Sequence, residues 1–268
     1  MKFKKHVITL ILFYCIVFTG NSFSQESGRN YLGLSFGGSD FHIKDEHASP
    51  LIFSSTGIAP SIQYIYQGEN SRVYAEASYY YDYLGTSSDN FHDINHRAEI
   101  RCSYLHSIAD FEILNKKINV FVGGSIGTFL SHSDYTNIWV ASTISRTIES
   151  WYWNNSFDVS AQLEYNLEPR EFFSIKLFIP VVSNLSRPTY SSSGDFNYTD
   201  NDWKFKMFGE TKFFPAIFSV NTLLTYQRPL IWKLNLQINY EFYYSSYDKP
   251  RNINMYMNNL CAGLFFCF

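Results

Sequence analysis

After residue 25 the chain contains no apolar run of 18 residues, so it has no segment that could cross a membrane as a helix. It also lacks a long stretch with a 3.6-residue apolar period, which excludes a helical bundle. Cysteine is scarce. Of four, Cys15 belongs to the leading segment, leaving Cys102, Cys261 and Cys267. There is no C-x-x-C pair and no Cys/His zinc spacing. The motifs G-x-S-x-G, G-x-x-x-x-G-K and H-E-x-x-H are missing, so nothing supports a soluble enzyme of those classes. Basic residues are outnumbered too: 21 Lys and Arg against 24 Asp and Glu give a formal charge of −3. Such a chain carries no electrostatic footprint for nucleic acid.

What is present begins with an export signal. Lys2, Lys4 and Lys5 precede a short apolar core, Val7–Phe18, and a small or polar stretch, 19–25. This is the pattern of a secretory signal peptide. Residues 1–25 are therefore read as the signal and 26–268 as one domain. Loss of three lysines takes the formal charge to about −6.

The remainder is built on alternation. Period-2 segments predict ten strands: 31–41, 57–67, 72–84, 94–106, 117–131, 157–168, 172–182, 215–227, 231–244 and 258–268. The ninth is clearest, with Trp232, Leu234, Leu236, Ile238, Tyr240 and Phe242 opposing Lys233, Asn235, Gln237, Asn239 and Glu241. The seventh is weakest, because Pro180 removes a ladder donor. The intervening connections alternate long and short throughout. Short ones are 68–71, 107–116, 169–171 and 228–230; long ones include 132–156 and 183–214. On a strand that reaches the carboxy-terminus, Cys261 and Cys267 lie about 20 Å apart, too far for a disulfide. Cys102 stays open as a partner for either.

The terminal strand places Leu260, Ala262, Leu264, Phe266 and Phe268 on one face. Together with the signal peptide and the alternating connections, it makes the chain resemble bacterial outer-membrane β-barrel proteins. The fold class expected is all-β: a closed, antiparallel, up-and-down transmembrane barrel of about ten strands, with twelve as the alternative. The resemblance implies that Leu264, Phe266 and Phe268 form the signal read by the barrel-assembly machinery. It makes outer-membrane lipid the surrounding partner. A periplasmic lipocalin-like barrel or a secreted sandwich would reverse the two faces. The polar face, rich in Asn, Gln, Ser and Tyr with charges of both signs, suits a wet lumen better.

In that orientation the lumen gathers Glu76, Arg97, Glu99, Arg101, Asp158, Glu164, Lys233 and Glu241, with Asp82 and Lys176 beside them. Charges of both signs in a narrow space should pair, because an isolated buried charge is costly. The reading is a non-enzymatic structural or surface barrel, or a narrow selective pore, with no cofactor, metal or catalytic residue assigned. The alternative is an outer-membrane hydrolase, omptin-like protease or phospholipase, with a site at the extracellular rim. His42, Asp45, Glu46 and His47, and Asp89, His92, Asp93 and His96, invite it. No residue-by-residue match to the omptin motif exists. In His132-Ser133-Asp134, neighbouring side chains would point to opposite faces. Trp151-Tyr152-Trp153 is expected to give at least one member of an aromatic girdle.

Overall fold

The computed structural model describes residues 28–46, 52–85, 91–138, 145–187, 209–248 and 252–268. Residues 1–25, expected from the sequence to be an export signal, lie outside them. Among these residues there are twelve strands: β1 (Arg29–Asp45), β2 (Phe53–Ile58), β3 (Ser61–Gln67), β4 (Ser71–Gly85), β5 (Phe91–Ile113), β6 (Lys116–Ile138), β7 (Ser145–Glu168), β8 (Glu171–Ser186), β9 (Glu210–Phe213), β10 (Phe218–Ile231), β11 (Leu234–Tyr247) and β12 (Ile253–Cys267). Except for β2 with β3 and β9 with β10, sequence neighbours pair antiparallel, and β1 pairs with β12 from Tyr31↔Cys267 to Asp45↔Ile253, closing the sheet into a barrel. Two staves are each made of two strands. Both β2 and β3 bridge β1 to β4, and both β9 and β10 lie against β8. Twelve strands thus make ten staves, and each of the ten expected segments falls on a different one.

The breaks have local causes. Pro60 has no N–H to donate, and it separates β2 from β3. The ladder is kept by Ala59, whose N–H donates to the Gly37 carbonyl at 3.0 Å, and by Tyr79, which donates to the Pro60 carbonyl at 3.0 Å. Pro180 sits at a bulge: Phe157 faces Val182 while Asp158 faces Pro180, leaving Val181 as the extra residue. On the other side of β8, pairing stops at Phe178 and resumes at Val182. A bulge is where a proline within a sheet costs least, so the seventh strand survives.

Strands run further than alternation alone indicated. β5 and β6 have 23 residues each and β7 has 24. The expected connection 107–116 is ladder as far as Ile113, closed by Leu114 and Asn115 at φ 54° and 62°. Positive φ at both central residues is the type I′ hairpin geometry that matches strand twist. Much of 132–156 is ladder as well, from Ser133↔Ser150 to Ile138↔Ser145. A membrane-crossing strand needs only about 9–11 residues, so these staves extend well beyond the thickness of a bilayer.

Polarity divides the barrel into two tiers. Near the short turns the outer face is apolar, as in Leu32, Leu34 and Phe36 of β1 and Leu260, Leu264, Phe266 and Phe268 of β12. Leu34 is 68% exposed and Phe268 57%, the inverse of a soluble sheet. Behind this belt the wall faces inward with Ser, Asn, Gln and charged residues. Towards the long connections the sense reverses. The outer face of β1 continues as Asp40, His42 and Lys44, while Phe41, Ile43, Phe53, Leu84, Met255 and Met257 pack together inside. A second, smaller apolar cluster of Tyr31, Ile65 and Phe265 lies inside the short-turn end. Phe265 fits there because Gly33 faces it: a Cβ on Gly33 would stand 2.3 Å from the Phe265 ring.

Candidate functional site

Between the two apolar clusters, inward residues of β4, β5, β7, β8 and β11 build a charged layer. Arg72 reaches across from β4 to Glu164 on β7, with Nη2–Oε1 at 2.7 Å and Nε–Oε2 at 3.1 Å. Glu164 also accepts from Gln162, which in turn accepts from the Tyr74 hydroxyl at 2.9 Å. Arg97, wholly buried, donates from Nε and Nη2 to Asp82 Oδ2 at 3.0 and 2.5 Å, and to Ser39 Oγ at 2.8 Å. Its guanidinium lies over Phe41 at 3.9 Å and over Tyr80 at 4.6 Å, so it marks the boundary between tiers. Asp82 has room because its cross-strand neighbour is Gly57; a Cβ there would stand 2.1 Å from Asp82 Oδ1.

Arg101 pairs with Glu99 and lies 4.0 Å from Glu241. It also stacks on Phe178, 4.3 Å from the ring centre. Glu76 accepts from Gln63 at 2.7 Å and from Ser78 at 3.1 Å. Glu241 accepts from Asn221 at 2.6 Å and from Asn259 at 2.8 Å. Asp158 accepts from Ser125 at 3.1 Å. Lys176 is buried with its Nζ 2.9 Å from the centre of the Tyr74 ring, a cation–π contact. Two cavities lie in this layer, of about 50 and 30 Å³. Arg101 and Phe178 line both and form the partition between them.

Of the expected lumen residues, Glu76, Arg97, Glu99, Arg101, Asp158, Glu164 and Glu241 meet in this layer. Lys233 does not. It is exposed in the β10–β11 turn, 5.6 Å from the Trp232 ring centre and 5.9 Å from that of Phe266. The strand ends short of it, because Trp232 takes φ 52° and redirects the chain. Arg72 was missed although it shares the parity of Glu76 and Asp82. The buried pair Arg187–Asp45, at 2.7 Å near the long-connection end, joins residues 142 apart and has no local signature.

The rim groups are parted by the same alternation. His42 faces outward, bonded to Asp40 at 3.0 Å and stacked on Tyr256, whereas Asp45 faces inward to Arg187. His96 is bonded on the outer surface to the Tyr79 hydroxyl at 2.7 Å. Among the described residues no three His, Cys, Asp or Glu side chains converge as metal ligands. His47 and Asp89 lie outside the described residues. No disulfide joins Cys102, Cys261 and Cys267 to one another. Tyr152 joins the inner cluster, while Trp153 donates to Thr128 Oγ1 at 2.8 Å on the outer surface.

A closed antiparallel barrel with an apolar outer belt and a polar lining is the fold of bacterial outer-membrane β-barrel proteins. No family model and no curated protein matches the sequence. Among solved structures, the outer membrane protease OmpT from Escherichia coli aligns over 92% of this chain and 99% of its own, at 8% identity and a TM-score of 0.50. The translocator domain of the autotransporter NalP from Neisseria meningitidis aligns over 100% and 98%, at 9% identity and a TM-score of 0.47. Ail from Yersinia pestis aligns over 88% and 99%, at 10% identity and a TM-score of 0.36. At 8% identity the likeness to OmpT is one of fold.

Proposed function

We propose that this protein is a closed, non-enzymatic surface barrel that holds its long connections above the outer membrane. The observation that carries the reading is the filled lumen. Its charged layer leaves cavities of only about 50 and 30 Å³, room for a few waters. An aromatic cluster lies to either side of that layer. Cross-barrel pairs such as Arg72–Glu164 brace the wall. The short-turn end and both termini lie on the periplasmic side, and the long connections outside, as in barrels of this class. Leu264, Phe266 and Phe268, on the lipid face of the last strand, serve as the segment read by the assembly machinery.

Planar-bilayer recording of the purified protein tests the closed state, and the expected trace has no steady unitary current. A reproducible single-channel current from the unmodified protein would overturn the proposal in favour of a narrow pore. An epitope inserted between 188 and 208 is expected to be stained on intact cells, and one at 169–170 only after permeabilisation.

A further inference from the structure

On the outer wall, β11, β12, β1, β3 and β4 border an apolar groove of about 1080 Å³. Its depth comes from small residues set opposite large ones in the ladder. Ala262 faces Phe36 across β12 and β1, and Ala77 faces Ile62 across β3 and β4. The volume matches that of ligand pockets, on the order of 300–1,000 Å³. Because the groove lies within the apolar belt, what reaches it is lipid.

A second observation is the charge at its short-turn end, where Leu236 and Phe266 line the groove. Leu236 is the register partner of Arg228, so the exposed Arg228 shares the outer face beside it. Lys233 Nζ lies 5.9 Å from the Phe266 ring centre, next to Trp232, which is 78% exposed. Neither cation has a salt bridge among the described residues. Glu171, on the neighbouring β8, accepts from the Tyr226 hydroxyl at 2.6 Å instead. Two cations against this one acid leave a single positive charge, the complement of a phosphodiester. Basic residues beside an apolar wall attract anionic lipid head groups, and tryptophan favours the same level of the bilayer.

We propose that this face binds one glycerophospholipid, with an acyl chain in the groove and its phosphodiester between Arg228 and Lys233. That the lipid comes from the periplasmic leaflet rests on the barrel orientation proposed above; the site itself does not. The competing arrangement is a set of depth anchors, in which Arg228, Lys233 and Trp232 fix the barrel in the bilayer and select no lipid.

The test uses the full mature barrel, purified in detergent and washed free of lipid. It is given dimyristoyl-phosphatidylglycerol or, separately, dimyristoylglycerol, which has the same chains and no phosphate. Bound lipid is read per chain by native mass spectrometry. One phosphatidylglycerol should be retained under conditions that strip the diacylglycerol. Its affinity should fall about fivefold in each of Arg228→Gln and Lys233→Gln, the effect of one basic residue near a lipid surface. Lys117→Gln, which removes an exposed cation from the β5–β6 hairpin, should leave it unchanged. Ala77→Trp, which fills the groove, should weaken retention with both cations in place. Equal retention of the two lipids by the unmodified protein overturns the proposal in favour of depth anchors, whichever variants fold. An equal loss in Lys117→Gln overturns it as well, because the attraction would then belong to the whole edge. Binding is read in detergent without reference to conductance, so it stands or falls apart from the closed state.

Discussion

At the scale of single residues, the energetics of the lumen depend on whether a charge keeps its partner. Arg97 and Asp82 are wholly buried, and the guanidinium lies between the rings of Phe41 and Tyr80 and against Met257. Removing one member strands the other without water, at a cost of about 3–5 kcal/mol; replacing both with apolar groups of similar volume is close to neutral or stabilising. Arg97→Met and Asp82→Leu should therefore each lower the urea midpoint of the folded barrel, whereas the double variant should recover most of the loss. Additive losses would mean that the apolar surroundings do not accept the replacement. The same scale shows what the sequence disclosed. A period of two fixes the face, and seven of the eight named lumen residues lie on the inner one. Lys233 lies in a turn instead, because φ at Trp232 ends the strand. No local pattern could have paired Arg72 with Glu164, which are brought together only by closure of the barrel.

At the scale of the strand, β1 carries both environments on one outer face. Leu32, Leu34 and Phe36 are followed, past Gly38, by Asp40, His42 and Lys44 at two-residue spacing. An arginine on the lipid face costs about 2–4 kcal/mol at the bilayer midplane and about 0–1 kcal/mol near the interface. Leu34→Arg should fall in the first range and His42→Arg in the second, measured as folding free energies in lipid vesicles. Equal costs would place the belt elsewhere on the strand. The reversal also explains which elements the sequence left obscure. Ten staves were readable where apolar-out alternation runs through the belt, as in β11 and β12. Beyond it, the ladder of β6 and β7 has no lipid to enforce that pattern, and 132–156 therefore resembled a loop. The break at Ala59-Pro60 was invisible for a different reason: pairing to β1 and β4 resumes on both sides without a change of face.

At the scale of the whole molecule, closure of the lumen is divided among layers that do not share residues. The short-turn end is filled by Tyr31, Ile65 and Phe265, the middle by Arg101 stacked on Phe178, and the upper side by a cluster in which Phe129 and Tyr243 stack at 5.6 Å. The residues named in each layer come from different staves, so opening one layer should leave the others in place. Phe265→Ser, Arg101→Ser and Phe129→Ser are each expected to fold and remain silent in planar bilayers, with steady current appearing only when all three are combined. Arg101→Ser alone merges the two cavities, yet the aromatic layers still bound the merged space. Current from Phe265→Ser alone would show that the upper layers do not seal. The closed state would then rest on a single aromatic ring, and a gated pore would replace the braced platform as the better description of the barrel.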